Sequence, residues 1–387
     1  MIHYSFAVPP APRIPARPDV AVYVPSLDGG GAELVMLRLA TSLAERGRRT
    51  HLVLARARGP YLGQVPDAVR IVDLAAPPPV VVTKTARLAA YLRRERPRVV
   101  LSALDVVNTA VVARALARSP TRVVLTIHTH LSRQFADKSD LGIARVRRVL
   151  VRALYPRTDR LVAVSQGVAD DAARLAGLPP DRIEVIPNPV VSSRSMEHAR
   201  EEVDHPFLRA GQPPVILAVG RLVRQKDFAT LIEAFALVRA RRPARLIILG
   251  AGDPREPDIA PSLDAAIRHY GLRDDVSLPG FVANPQAYMA RARVLALSSI
   301  YEGLPTVLIE ALAVGCTIVS TDCDSGPDEI LDHGRYGTLV PVGDARALAD
   351  GLLAALDAPR DPQELQARAR RYTAQAVIGD YLRVIGV

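Results

Sequence analysis

Pro305-Thr306-Val307-Leu308-Ile309-Glu310-Ala311-Leu312-Ala313-Val314 carries a single charge, that of Glu310. A surface helix normally sets a polar face against its apolar stripe, and a helix that is apolar all round is buried. The stretch therefore predicts a buried helix following a strand that ends at Ser298. Glu310 shares its column with Val307 and Val314, at i−3 and i+4. A carboxylate so placed is costly unless something hydrogen-bonds it. A second carboxylate, Glu302, lies just upstream in Ser299-Ile300-Tyr301-Glu302-Gly303-Leu304. One glutamate in a loop mouth and one inside a buried helix point to a polar ligand at the end of a buried strand.

Outward from this point, short β-branched runs alternate with longer helical patterns, the mark of parallel α/β folding. The predicted strands of the first half are Val20–Val24, Thr50–Leu54, Arg70–Leu74, Val99–Leu101, Arg122–Ile127, Asp159–Val164 and Ile183–Ile186. A helix is expected over Ala32–Arg46, closed by Gly47 at C′, and Ser165 is placed to cap the helix through Ala176. Pro187 to Pro214 breaks the rhythm with Asn, Pro, Ser and charges, as an interdomain linker does. The alternation then restarts: strand Val215–Val219, helix Asp227–Ala240, strand Arg245–Leu249, helix Pro261–Tyr270, strand Val276–Leu278, helix Asn284–Arg291, strand Val294–Ser298, the opening helix, and strand Thr317–Thr321. Two consecutive doubly wound domains are expected, with the ligand in the cleft between them, beyond the carboxyl ends of the strands.

The bulk properties fit. A chain of 387 residues, 49 % hydrophobic and 23 % charged, is long enough for two ordinary cores. Residues 1–18 are Pro-rich and predict a loose lead-in rather than a signal sequence. Cys316 and Cys323 are too few for a disulfide framework and lack the partners of a zinc site, so a reduced cytoplasmic setting is expected. No apolar run is long enough to span a bilayer. The net charge of +10 favours anionic partners such as nucleotides or phospholipid surfaces. Nucleic acid is not among the expected partners, because aromatic residues make up only 4 % and no base-stacking or zinc-finger pattern appears.

Four loops at strand ends carry candidate chemistry. Ser26-Leu27-Asp28-Gly29-Gly30-Gly31 lets backbone N–H groups approach a phosphate at a helix start, although its spacing is neither Rossmann nor Walker and a plain tight turn is the other reading. Gly220-Arg221-Leu222-Val223-Arg224-Gln225-Lys226 follows a strand and leads into a helix, the order that clamps a diphosphate; a solvated basic turn is the alternative. His128, in Thr126-Ile127-His128-Thr129-His130, closes a buried strand and has no companion cluster for metal ligation. The fourth is the Glu302/Glu310 loop and helix. Composition alone yields roughly one Glu pair at any fixed spacing, so the evidence lies in the placement of Glu310 on a helix with no other charge.

Together these residues resemble the retaining glycosyltransferases of family 4: Gly220-Arg221 with Lys226, then Ser298 to Leu312 with its two glutamates. The opening loop Ser26–Met36, Val185-Ile186-Pro187-Asn188-Pro189, Leu249-Gly250-Ala251-Gly252 and Leu278-Pro279-Gly280-Phe281 are also similar, so the likeness runs nearly the length of the chain. The stretch Ser320–Ile330 resembles a bacterial branch that builds lipid-linked or surface polysaccharides. The resemblance implies the α/β GT-B fold, two Rossmann-like domains facing across a cleft. They would span 1–195 on the acceptor side and 196–370 on the nucleotide-sugar side, with 371–387 crossing back as a closing helix.

By the same likeness Arg221 and Lys226 would neutralise the donor diphosphate and Glu302 would hold the sugar near its reacting carbon. Glu310 would accept from the ribose hydroxyls, and the backbone at Phe281 and Val282 would receive the base. Gly30 and Gly31 would close on the phosphates from the facing domain, with Gly220, Gly250, Gly303, Leu304 and Pro305 completing the donor site. His128 would stand by the donor sugar, although Thr129 departs from a common His-Asn version. Pro305 is placed at N1, so that a helix start lies beside Glu302. No metal and no cofactor are expected, since Arg221 and Lys226 would do that work on the diphosphate. A basic helix over Leu141–Tyr155, with Arg145, Arg148 and Arg152 on one face, is the expected docking element for a lipid-diphosphate acceptor at an anionic membrane surface. The implied activity is transfer of a hexose or N-acetylhexosamine from a nucleotide-sugar, UDP-linked by resemblance, to a lipid-linked or surface-glycan acceptor. A nucleotide-sugar epimerase on the same fold and a non-catalytic nucleotide-binding protein are the alternatives.

Overall fold

A computed structural model describes residues 17–78, 80–104, 109–138 and 141–386. The expected lead-in lies outside them up to residue 16. Each half forms an all-parallel sheet. The first has strands β1 (Val20–Val24), β2 (Thr50–Leu54), β3 (Val69–Asp73), β4 (Val99–Ala103), β5 (Arg122–Ile127), β6 (Arg160–Ala163) and β7 (Ile183–Val185), in the spatial order β3-β2-β1-β4-β5-β6-β7. The second has β8 (Val215–Val219), β9 (Arg245–Leu249), β10 (Val276–Gly280), β11 (Val294–Leu297), β12 (Thr317–Thr321) and β13 (Thr338–Val340), in the order β10-β9-β8-β11-β12-β13.

The order of each sheet reverses at one point, between β1 and β4 in the first and between β8 and β11 in the second. Such switch points open a crevice beyond the carboxyl ends of the strands. The loops after β1, β8 and β11 are the ones that carry Gly30, Lys226 and Glu302, so topology alone gathers three of the four candidate loops.

Strands buried on both faces read as continuous apolar runs, and β1 is buried from end to end. Its Val20, Val22 and Val24 pack on one side with Met36, Leu39 and Leu43, while Ala21 and Tyr23 pack on the other with Leu88, Tyr91 and Leu92. The second sheet is covered in part by Phe228, Leu231 and Phe235 from helix Phe228–Arg241. A further cluster crosses the boundary: Leu125, Ile127 and Leu131 of the first domain belong to one core with Leu304, Val307 and Leu308 of the second.

Three expectations are corrected. Pro187–Pro214 is not simply a linker, since helix Ser193–His198 lies within it. Its opening part is tied to the second crossing, where the Val190 and Val191 N–H groups donate to the Tyr372 carbonyl at 2.9 and 3.0 Å and Val191 bridges Thr373 in parallel. The predicted closing helix starts at Ala374 and runs to Ile385. It buries Val377, Ile378 and Tyr381 against the first domain. Pro305 is the N-cap of helix Thr306–Val314 rather than its first residue, because a ψ of 102° keeps it extended. Val307 through Ala313 on that helix are all buried, as the absence of other charges predicts.

Candidate active site

Side chains from both domains line one cleft of about 2130 Å³. From the first domain come Gly30, Gly31, Glu33, Arg38, Tyr61 and His128. The second supplies Gly220, Arg221, Lys226, Gly250, Phe281, Val282, Glu302 to Pro305, and Glu310. Every candidate residue taken from the sequence therefore faces the same space, although several meet partners that the sequence did not show.

Lys226 ends the short 3₁₀ turn Arg224–Lys226, which β8 feeds through Gly220. Its Nζ lies 2.5 Å from Glu302 Oε1, and Ser299 Oγ donates to the same oxygen at 2.7 Å. Glu302 is only 7 % exposed, so this pair is a buried charge with its counter-charge and a hydroxyl donor. A strand-end cation and a strand-end carboxylate are thus held as one unit. Arg221 is also engaged: its Nη1 donates to Asp253 Oδ2 at 2.9 Å. Asp253 accepts from Arg255 as well, and that bond, with help from Arg221, keeps its carboxyl well below the usual range. Asp253 lies just past Leu249-Gly250-Ala251-Gly252 at the end of β9; its position directly after a glycine-rich strand end was the legible signal.

Glu310 is 8 % exposed and pairs with Arg38 Nη2 at 3.7 Å. Burial raises its pKa, while Arg38 and the buried Gln286 side chain act in the opposite direction. The sequence left this carboxylate without a protein partner; the partner comes from the facing domain. Arg38 stands seven residues, two helical turns, beyond Gly31, and so on the face of helix Gly31–Glu45 that begins at the cleft.

Two helix starts meet here. A Cβ added to Gly31 would lie 3.1 Å from Thr306 Oγ1, at the head of helix Thr306–Val314, so these N-termini, with their partial positive charge, converge on one place. No side chain caps the second. The first is closed by Glu33, whose carboxylate accepts the Gly30 N–H. The Gly30 amide is accordingly occupied, not open as the sequence reading had it. Burial raises the Glu33 pKa, with the Gly30 amide and Arg221 lowering it in part.

Gly250 and Gly303 act by close approach. A methyl on Gly250 would overlap the Gly220 carbonyl oxygen, and one on Gly303 would overlap that of His128. Gly303 thereby brings the Glu302 loop onto the end of β5. Ser165 Oγ donates to the Gly303 carbonyl at 2.7 Å, and the His130 N–H to that of Glu302 at 3.3 Å. Nearby, Glu329 of the second domain accepts the Gln166 and Gly167 N–H groups at 2.8 and 3.0 Å, at the start of helix Gln166–Ala176. Ser165 also caps that helix, as predicted.

His128 follows β5 directly. Its Nε2 is 3.0 Å from Thr126 Oγ1, and its Nδ1 is buried with no hydrogen-bond partner among the described residues. Burial pulls its pKa down to about 4, so the ring is neutral at ordinary pH. A histidine with a depressed pKa takes its proton in the unfolded chain first. Stability should therefore fall as pH drops from about 6.5 towards 4. Melting temperature measured across that window should fall less in His128→Gln; an identical slope would mean that His128 does not titrate as a buried neutral ring.

On the outer side, helix Leu141–Leu154 is present. Arg145, Arg148 and Arg152 are exposed beside Ile143, Val146 and Val149, which are 48, 58 and 61 % exposed. Arg147 turns the other way, lining the cleft and lying 5.9 Å from the Phe135 ring centre. Among the described residues no helix is long and apolar enough to cross a membrane, and no group of His, Cys, Asp and Glu is arranged to hold a metal ion.

Residues 29–194 match Glycosyltransferase Family 4, and residues 213–358 match Glycosyl transferases group 1. A Campylobacter jejuni protein named N-acetylgalactosamine-N,N'-diacetylbacillosaminyl-diphospho-undecaprenol 4-alpha-N-acetylgalactosaminyltransferase is 28 % identical over 349 residues, covering 87 % of this chain and 90 % of that protein. The lipopolysaccharide core biosynthesis glycosyltransferase LpsE of Rhizobium meliloti is 27 % identical, covering 92 % of each. Among solved structures, sucrose-phosphate synthase from Thermosynechococcus elongatus superposes with a TM-score of 0.81 at 20 % identity, over 95 % of this chain and 98 % of that one. Anabaena HepE, solved with UDP and glucose, gives 0.76 at 19 % identity over 95 % and 99 %. At such identities these structures speak to the fold, which is GT-B. With both domains matched, the chain belongs to the family 4 and group 1 glycosyltransferases, on the bacterial surface-polysaccharide branch.

Proposed function

We propose that this glycosyltransferase moves a hexose or N-acetylhexosamine, with retention, from a UDP-sugar to a lipid-linked or surface-glycan acceptor, without a metal. The observation that carries the reading is the Lys226–Glu302 pair at the β8/β11 switch point, facing two converging helix N-termini. Breaking a glycosyl–phosphate bond builds negative charge on the leaving diphosphate. Preorganised cations and helix starts meet that charge without reorganisation. Lys226 and Arg221 take this role, each exchanging part of its carboxylate contact for phosphate oxygen. Glu302, held from one side by Ser299, is left to face the sugar, and Glu310 the ribose. Phe281 and Val282 border the cleft where the base would lie. With retention, the acceptor hydroxyl attacks the anomeric carbon from the face the diphosphate leaves, forming the new C–O bond as the C–O(phosphate) bond breaks. The acceptor proton passes to the departing phosphate oxygen.

UDP is favoured because HepE was solved with UDP-glucose. A lipid-diphosphate acceptor is favoured by the name of the Campylobacter relative. The exposed apolar and basic face of helix Leu141–Leu154, with Arg147 reaching into the cleft, is the proposed contact with the acceptor and the anionic surface bearing it. The catalysed transfer would run at the cytoplasmic face of the membrane.

A thermal-shift screen of UDP-, GDP- and ADP-sugars with EDTA present tests the donor. A ligand at a hundred times its Kd stabilises the folded state by about 2.7 kcal/mol. UDP-sugars are expected to raise the melting temperature most, with no loss in EDTA. A preference for GDP or ADP would overturn the UDP assignment, and a shift abolished by EDTA would overturn metal independence.

A further inference from the structure

We infer that Arg38 is a positioning residue for the donor: fixed to the backbone at the domain crossing, it holds the Glu310 carboxylate aimed into the cleft. This rests on the reading of Glu310 as the ribose anchor. Arg38 belongs to the first domain and Glu310 to the second, so the contact spans the cleft. Its Nη1 donates to the Val190 carbonyl at 2.8 Å. Val190 is itself fully buried and tied through its N–H to Tyr372, where the two crossings between the domains lie side by side. One edge of the guanidinium is thus anchored to the backbone where the chain crosses between the domains. The other edge faces Glu310 at 3.7 Å, and the Gln286 side chain also bonds that carboxylate.

The energetics give Arg38 a task. Burial drives Glu310 towards its neutral acid, and a protonated carboxyl loses acceptor capacity for two ribose hydroxyls. Arg38 is the leading influence in the other direction, followed by Gln286. Tyr61 faces the same group, but its phenol is pushed up to about 12 by burial and by Glu310 and Glu33, so it contributes no charge at neutral pH. Because Arg38 and Glu310 ride on different domains, the ribose site is built from both of them.

The test uses the full-length protein with UDP-sugar donors, UDP and 2′-deoxy-UDP, and the variants Arg38→Met, Arg38→Lys, Glu310→Gln and Arg38→Met/Glu310→Gln. Arg38→Met should raise the donor KM about tenfold, the weight of one charge-assisted contact, with kcat changed less than about threefold. Arg38→Lys should recover most of that loss. The preference for UDP over 2′-deoxy-UDP should shrink in Arg38→Met. In the double variant the losses should fall well short of multiplying, because both changes remove the same interaction. If wild-type protein binds nucleotides but Arg38→Met and Arg38→Lys both leave KM and the ribose preference unchanged, or the two losses multiply, the inference is wrong while the site reading stands. If wild-type protein binds no nucleoside diphosphate, the site reading fails and takes this inference with it. Should Arg38→Met fold poorly, Arg38→Lys with the Glu310→Gln background decides by the same criteria.

Discussion

Lys226→Ala is expected to lower kcat for sugar transfer by about 10²–10³-fold, the loss that follows removal of one preorganised group facing developing charge. The size follows from what Lys226 does in both states. In the free protein it neutralises Glu302, which is buried and whose other hydrogen bond comes from Ser299. In the proposed reaction it faces the phosphate that leaves. Removing it takes a cation from the transition state and strands a buried carboxylate, which costs about 3–5 kcal/mol when a buried partner is deleted. The two effects separate experimentally. Glu302→Gln removes the stranded charge, so Lys226→Ala/Glu302→Gln should regain much of the lost melting temperature without regaining transfer. If Lys226→Ala transfers sugar at the wild-type rate while folded, the pair is structural and the diphosphate is met elsewhere. Lys226→Arg should recover only part of the rate, because a broad planar fork does not fit the space over Gly220, whose added Cβ would already sit 3.0 Å from Lys226 Cε.

Gly303→Ala is the second large effect. The glycine lies against the His128 carbonyl, and its own carbonyl accepts from Ser165 Oγ at 2.7 Å. A methyl there has backbone in its way, so the loop after β11 must withdraw from the first domain. That displaces Glu302, the neighbouring residue, relative to everything the first domain presents. Misplacement by about 1 Å costs on the order of 10²-fold in rate, and forced overpacking costs about 1–3 kcal/mol. Transfer should fall by about 10²-fold, with a lower melting temperature. Steady-state kinetics and a thermal melt check both; unchanged kinetics would show that the two domains need not meet at Gly303 for the reaction.

Much of this was legible beforehand, for identifiable reasons. The buried helix around Glu310 announced itself because apolar residues surround a single charge, and burial on all sides leaves that pattern in any fold. Parallel strands buried on both faces likewise leave continuous apolar runs, so β1, β2, β5, β8, β9 and β12 begin and end where the sequence indicates. Strand ends at solvent-facing edges, such as β3, shift by one residue because no apolar contrast marks them. Residues 187–214 look like a linker because turn-formers dominate, yet Val190 and Val191 within them pair with Tyr372 and Thr373, a contact between segments far apart in sequence.

The partners of the site residues were the least legible part. Arg38 for Glu310, Asp253 for Arg221 and Glu302 for Lys226 are all pairings made by tertiary structure, and each joins groups that the sequence keeps far apart. In a chain so rich in arginine, no composition argument singles out Arg38. What does is its place two turns along the helix that Gly31 begins. The glycines divide in the same way. Gly31 faces the head of helix Thr306–Val314, whereas Gly250 and Gly303 serve backbone packing around the site, which is a reason for a glycine that a strand-end motif does not distinguish from ligand approach.

The central claim is transfer from a nucleotide-sugar across this cleft, and product analysis tests it most directly. UDP-sugars would be incubated with a polyprenyl-diphosphate-linked glycan in anionic vesicles, with and without that acceptor, and the products resolved by mass spectrometry and anomeric NMR couplings. The account predicts one added sugar on the lipid-linked glycan, in the anomeric configuration of the donor, with free UDP released and loss of product in Glu302→Gln. Isomerised nucleotide-sugar appearing without acceptor, a glycosidic bond of inverted configuration, or full transfer by Glu302→Gln would contradict it.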